Sequence, residues 1–232
     1  MSITGFFKAA LASAAAAAIV AGVASSPANA ALYLVDVWTG APDGVHSSTI
    51  ADLADLPTGA ASAEFWYNAP INWVNNESQN HDSSGNLAKD FLNIAAISNF
   101  NSPSGAYADV TAFGNSSLSI AGDAYSSYFA ILGFNPTPAI ASITHDDGAS
   151  VYAFPGFTVY SSPTETSVIA GNFFLPADLF LITYVEGNGA PSDLIFTTSG
   201  VPELSTWAMM IIGFGGVALQ MRRRERAIGA TA

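Results

Sequence analysis

The 232-residue chain has no cysteine. That excludes disulfides, thiolate nucleophiles and zinc–thiolate centres, so stability must come from a packed core. Basic residues are nearly as scarce: of six, Lys8 lies near the start and Arg222, Arg223, Arg224 and Arg226 near the end, leaving Lys89 alone in between. Of the 18 acidic residues all but Glu203 and Glu225 fall in residues 31–200, so that stretch carries 16 acids, one base and a formal charge of −15 with histidine neutral. Such a surface repels nucleic acid and anionic headgroups. It favours solubility and is compatible with divalent cations. The three histidines, His46, His81 and His145, have no ligand spacing. His81, Asp82, Ser83 and Ser84 have the residue types of a hydrolytic triad, but adjacent residues cannot assemble one, so they read as loop polarity. No Gly-x-Ser-x-Gly, His-Glu-x-x-His or phosphate loop occurs, and there is no internal repeat.

What is present begins at the two ends. Residues 1–30 show a weakly positive start at Lys8, an alanine-dominated apolar run over 9–24, a break at Ser25-Ser26-Pro27, and small residues at Ala28 and Ala30. This is the pattern of a secretory signal peptide cut after Ala30 by signal peptidase. The run is shorter than the ~20 apolar residues of a retained membrane helix. Residues 207–221 form a second uncharged apolar stretch, opened by Trp207 and closed by the arginine cluster. At a rise of ~1.5 Å per residue it approaches the ~30 Å hydrocarbon core. The arginines would hold its far end in the cytoplasm. A buried helix would instead be amphipathic.

The run Val201-Pro202-Glu203-Leu204-Ser205-Thr206-Trp207-Ala208, its apolar helix and Arg222, Arg223 and Arg224 together resemble the PEP-CTERM sorting signal in its Trp-Ala subtype. The likeness covers residues 201–226, with 227–232 as a short cytoplasmic tail. It implies a Gram-negative, exopolysaccharide-producing source, a transient inner-membrane tether and processing by an exosortase. Leu204 stands where the signal usually has proline, which removes one φ constraint.

Residues 31–200 remain as one domain-sized exported unit. Apolar runs recur at short spacing between clusters of Gly, Pro, Asn, Asp and Ser. They include Leu32, Leu34, Val35 and Val37; Glu64 with Phe65, Trp66 and Tyr67; Leu118 with Ile120; and residues 128–134, 141–144, 151–154, 157–160, 179–185 and 194–197. The pattern predicts an all-β, antiparallel β-sandwich, jelly-roll-like. One helix is expected over 86–97, with Leu87, Phe91, Ile94 and Ala95 at helical spacing, and a long polar loop over 68–84.

Within this unit, Thr144-His145-Asp146-Asp147-Gly148 sits between two apolar runs, and Tyr184-Val185-Glu186-Gly187-Asn188-Gly189 follows downstream. The two phrases in this order, over about 117–197, resemble the protective-antigen-type β-sandwich module of bacterial toxins, glycosidases and fungal adhesins. The usual Asp-Gly after Tyr152 is replaced by Ala153-Phe154-Pro155-Gly156. The likeness implies carbohydrate binding in some members. In the adhesins an aspartate pair, sometimes joined by a cis peptide, holds calcium against sugar hydroxyls; Asp146 and Asp147 match that pair. Calcium takes about six to eight oxygens, of which two neighbouring carboxylates supply part. Asn188 and Asp193 are further candidates, and Tyr152 and Trp66 are candidate aromatic sugar contacts. Asp-Asp-Gly is equally the composition of a hairpin turn, with aspartates bonded to their own backbone and glycine at positive φ. His145 would cap that turn or face solvent.

Catalytic residues are not expected, since Asp146 and Asp147 in extended chain point to opposite faces and suit paired acid–base work poorly. The expectation is a non-enzymatic envelope or exopolysaccharide-matrix protein that binds glycans with calcium. A glycan-active hydrolase using carboxylates on the same face and a purely structural matrix protein are the alternatives.

Overall fold

The computed structural model describes residues 32–42, 50–75, 86–119, 125–164, 167–187 and 191–200. The signal-peptide residues Ala28 and Ala30, the sorting residues Val201, Pro202, Glu203, Trp207, Ala208, Arg222, Arg223 and Arg224, and His46, His81 and Asn188 lie outside them. Among the described residues no helix is long and apolar enough to cross a membrane.

Thirteen strands are described: β1 (Tyr33–Pro42), β2 (Ala63–Tyr67), β3 (Asn72–Asn75), β4 (Asn86–Leu87), β5 (Ile97–Asn101), β6 (Ser117–Ser119), β7 (Tyr125–Asn135), β8 (Ala139–Asp146), β9 (Ala149–Ala153), β10 (Phe157–Ser162), β11 (Ile169–Leu175), β12 (Asp178–Glu186) and β13 (Ser192–Gly200). A larger sheet runs β10-β9-β12-β7-β1-β2-β5, a smaller one β11-β8-β13-β3, and β4 pairs with β6 in a short ribbon. Every pairing whose register is determined is antiparallel.

Alternation explains most strands. β2 and β8 bury every second residue, so one face meets the core and the other faces outward. One cluster joins Val35, Phe65, Ile131, Val151 and Ile182 of the larger sheet to Trp73, Ile143, Leu194 and Phe196 of the smaller. The two sheets thus form a sandwich over a common core, as the sequence spacing predicts. Trp73 is its largest fully buried side chain, with the Tyr67 ring edge-on at 5.3 Å and Phe129 at 5.7 Å.

The strands β9 and β12 are buried almost throughout. Their outward faces belong to a second apolar cluster of Trp38, Leu56, Ala61, Ala130, Leu132, Tyr152 and Leu181, which residues 50–62 help to close. Polar contacts pin that segment: Trp38 Nε1 donates to the Gly59 carbonyl at 2.9 Å, Thr183 Oγ1 to the Ala51 carbonyl at 2.6 Å, and Tyr152 Oη to the Asp52 carboxylate at 3.1 Å. Coverage on both faces is why 179–185 reads as a continuous apolar run.

Two expectations fail. Residues 86–97 are not one helix: Asn86 and Leu87 form β4, α1 (Ala88–Phe91) lasts four residues, and a 3₁₀ turn (Ile94–Ala96) leads into β5. Leu92 and Asn93 are extended, and the Asn93 side chain accepts from the Ala95 N–H, so a turn competes with the helix. The polar stretch 68–84 is not all loop, because Asn72–Asn75 pairs with β13 and delivers Trp73 to the core. A second short helix, α2 (Val110–Gly114), is capped by Asp109, whose carboxylate accepts from the Ala112 N–H at 2.8 Å.

Candidate functional site

The Asp146–Asp147–Gly148 element is not a hairpin. β8 belongs to the smaller sheet and β9 to the larger, so the element arches from one sheet to the other across the end of the sandwich. Gly148 does not take the positive φ that a turn glycine would use. It is needed for space: a Cβ there would lie 2.1 Å from the Pro163 carbonyl oxygen. That carbonyl also accepts the Ala51 N–H at 2.8 Å, which locks the arch against the 50–62 segment. The true hairpin is the next connection, β9 to β10 through Phe154-Pro155-Gly156, where Gly156 sits at φ 124° and donates to the Ala153 carbonyl at 2.7 Å.

The Asp146–Asp147 peptide is cis. Asp146 is half-buried and Asp147 is buried. Asp147 Oδ2 accepts the Gly187 N–H at 2.7 Å, tying the arch to the end of β12. His145 is fully buried: Nδ1 contacts the Asp147 carbonyl and Nε2 lies 2.7 Å from Tyr160 Oη. It therefore caps the arch and does not face solvent. Desolvation lowers its pKa, partly offset by the bond to the Asp147 carbonyl.

Beneath the pair lies a carboxyl to which the residue pattern alone assigns no role. Glu186 ends β12 and is fully buried. Ser119 Oγ donates to its Oε1 at 2.8 Å, and Tyr184 Oη lies 2.6 Å from its Oε2. Asn86 bonds it as well, donates to Ser192 Oγ at 2.7 Å, and accepts from Asn75 Nδ2 at 2.6 Å. The β4–β6 ribbon sets Asn86 opposite Ser119, which explains why so short a ribbon is kept. Tyr184 is held by its ring, stacked on Phe91 at 5.8 Å and tilted against Phe129 at 5.7 Å.

Tyr184 Oη also reaches the Asp146 carbonyl. A phenol has one proton, and a carbonyl can only accept. That one proton serves the Glu186 carboxyl or the Asp146 carbonyl, and the phenol bridges the two. Burial, and next the charge of Asp147, push the Glu186 carboxyl well above the usual range. No lysine or arginine reaches this end among the described residues, where Lys89 is the lone basic side chain and bonds Asn115.

Carboxylate and carbonyl oxygens are the donors that a hard divalent cation takes, so the chemistry of the pair fits calcium. No three Asp, Glu or His side chains converge in metal-holding geometry among the described residues. A calcium shell at Asp146 and Asp147 therefore needs backbone or further oxygen ligands. Asp193 is half-buried, next to Ser192, whose side chain joins the Asn86 network, and alternation turns Asp193 to the other face. The two candidate aromatics do not belong to this end. Tyr152 is buried and committed to Asp52 and the Leu53 N–H, and Trp66 is half-buried in the same outer cluster. The ladder partners Tyr152, Leu181, Leu132, Leu34 and Trp66 run in one row across the larger sheet, so the two rings lie four strands apart.

A second carboxyl pair lies in that sheet. Asp36 is the cross-strand partner of Glu64, and its Oδ1 is buried without a hydrogen-bond partner. Desolvation, then the charge of Glu64, raises its pKa to about 7.

No protein-family model matches this chain, and no curated protein matches it. Solved structures similar to it include two PA14 domains. One is the PA14 sugar-binding domain from an RTX adhesin, 16% identical, with a TM-score of 0.45 over 74% of this chain and 90% of that one. The other is the PA14 domain of MpAFP antifreeze protein, 16% identical, with a TM-score of 0.43 over 78% of this chain and 88% of that one.

Proposed function

We propose that this chain is an exported, non-enzymatic β-sandwich protein of the cell envelope or exopolysaccharide matrix, and that the arch carrying Asp146 and Asp147 holds calcium and binds glycan there. The observation that carries the reading is the gathering of acids at this end: Asp146 and Asp147 on the arch and the fully buried Glu186 beneath, with no lysine or arginine there among the described residues. A bound calcium would offset that charge and present an open coordination face to paired sugar hydroxyls. The arch fixes Asp147 through Gly187, while Tyr184 and Glu186 fix the arch from below. Binding would be by ion and hydroxyl, since Tyr152 and Trp66 lie elsewhere.

Export and sorting belong to the same proposal. Signal peptidase would act after Ala30 and an exosortase at the signal around Pro202 and Glu203, with residues 207–221 as the transient inner-membrane tether. The mass of mature protein recovered from the envelope tests this. Loss of residues 1–30 and of the C-terminal signal supports it, and an intact Met1 in a cytosolic pool opposes it.

The glycan reading is tested on an array of bacterial exopolysaccharides with calcium and with chelator. Calcium-dependent binding that Asp147→Asn abolishes supports it; no binding in either condition removes it. A second reading, a glycan-active hydrolase, rests on Asp36 and Glu64, one of which is held protonated near neutrality beside a second carboxyl. Turnover of exopolysaccharide lost in Asp36→Asn and kept in Asp147→Asn would favour it.

A further inference from the structure

The two sandwich sheets end in four strands: β5 and β10 in the larger, β3 and β11 in the smaller. A free edge exposes backbone N–H and C=O groups, and folds blunt it by shortness, bulges, charge or proline. β3 is four residues long. The register of β5 against β2 is broken, as is that of β10 against β9. β11 has none of these devices. It is seven residues long, pairs with β8 without a slip from Ile169↔His145 to Leu175↔Ala139, and its sequence Ile-Ala-Gly-Asn-Phe-Phe-Leu has neither charge nor proline.

The exposed apolar side chains gather at the same place. Five large ones are exposed among the described residues: Ile169 and Phe174 on β11, Val168 just before it, Ile140 on β8 directly opposite Phe174, and Phe157 on β10. From Gly148 to Ala177 the sequence holds a single charged residue, Glu165, in a domain that is otherwise strongly acidic.

We propose that β11 is a dimer edge, at which two copies of this chain pair β11 to β11, antiparallel about a two-fold axis at Asn172. The two four-stranded sheets then join into one of eight strands. Two observations select a second copy as the occupant. An anionic molecule repels its own copy wherever carboxylates meet, and this strip brings none. The strand is also self-complementary in volume. A two-fold axis at Asn172 sets Phe174 against Ala170 of the partner on the outward face, large against small, and Ile169 against Leu175, while the two Asn172 amides face each other. The pairing uses neither Asp146 nor Asp147, so it stands or falls apart from the glycan reading.

The test uses the absence of native cysteine, which makes one introduced thiol an unambiguous reporter. The full chain carrying Asn172→Cys is expressed, the envelope fraction is oxidised, and the product is run on a non-reducing gel. Asn72→Cys, exposed on the opposite edge strand, is the control. The proposal expects a covalent species of twice the chain mass for Asn172→Cys alone. Sedimentation of the wild-type chain should show a dimer, and Phe174→Lys, at a side chain 54% exposed, should weaken self-association at least tenfold with an unchanged circular dichroism spectrum. A wild-type monomer at tens of micromolar would overturn the proposal. So would equal cross-linking at Asn72, a cross-linked partner of other mass, or a dimer that Phe174→Lys leaves intact.

Discussion

The end of the sandwich and the outer face of its larger sheet each hold a carboxyl taken out of water beside a second acid, and they treat it in opposite ways. Glu186 is buried completely, yet its oxygens meet Ser119, Asn86 and Tyr184. Asp36 keeps some exposure, yet its Oδ1 has no partner and Glu64 sits across the ladder. The first is a satisfied network that orders the arch above it. The second leaves a carboxyl whose ionisation costs stability. Burial alone thus does not say whether an acid supports the fold; the partners of each oxygen do.

Truncating the network sharpens the contrast most. Glu186→Ala leaves Ser119, Asn86 and Tyr184 without their acceptor and is expected to cost about 3–5 kcal/mol, read as the shift in urea midpoint. Glu186→Gln keeps an acceptor and should cost less than half of that. Equal losses in the two variants would mean that packing, not hydrogen bonding, holds this end.

Gly148→Ala comes next. Its Cβ meets the Pro163 carbonyl oxygen, a backbone atom that cannot rotate away, and a loss of about 2–3 kcal/mol is expected. A neutral result would show that the arch is not locked against residues 50–62.

The outer-face pair predicts a smaller effect of opposite sign. Because the folded-state pKa of Asp36 is raised to about 7, folding favours its protonated form. That contribution is complete below the unfolded-state value and is lost as pH rises through about 7. Asp36→Asn should therefore match wild type near pH 4 and exceed it by about 1–2 kcal/mol at pH 8, a few degrees in Tm. Melting curves at the two pH values check this, and a variant less stable at pH 8 would break the comparison.

Most of the sandwich was legible because strand patterns are local: Glu64 to Tyr67 and residues 141–144 by alternation, and 179–185 as a continuous apolar run, each declare a strand by themselves. What failed depended on distant partners. Leu87, Phe91, Ile94 and Ala95 have helical spacing, but Asn86 is recruited into a ribbon by Ser119. Asn72–Asn75 looks like loop until β13 is placed beside it. Residue order singled out the aspartate pair, but the arch was not legible, because the need for Gly148 comes from Pro163. Glu186 left one local signal. It closes an apolar run two residues after Tyr184, hence on the same face of its strand, where a carboxyl without a basic neighbour in sequence is an anomaly. Its partners Ser119 and Asn86 come from elsewhere in the chain.

The most direct test is a calorimetric calcium titration of the chelator-treated wild-type chain beside Asp147→Asn and Asp36→Asn. The account predicts saturable binding in wild type and Asp36→Asn, and none in Asp147→Asn. Absence of binding in wild type, or binding that Asp147→Asn leaves unchanged, would contradict it.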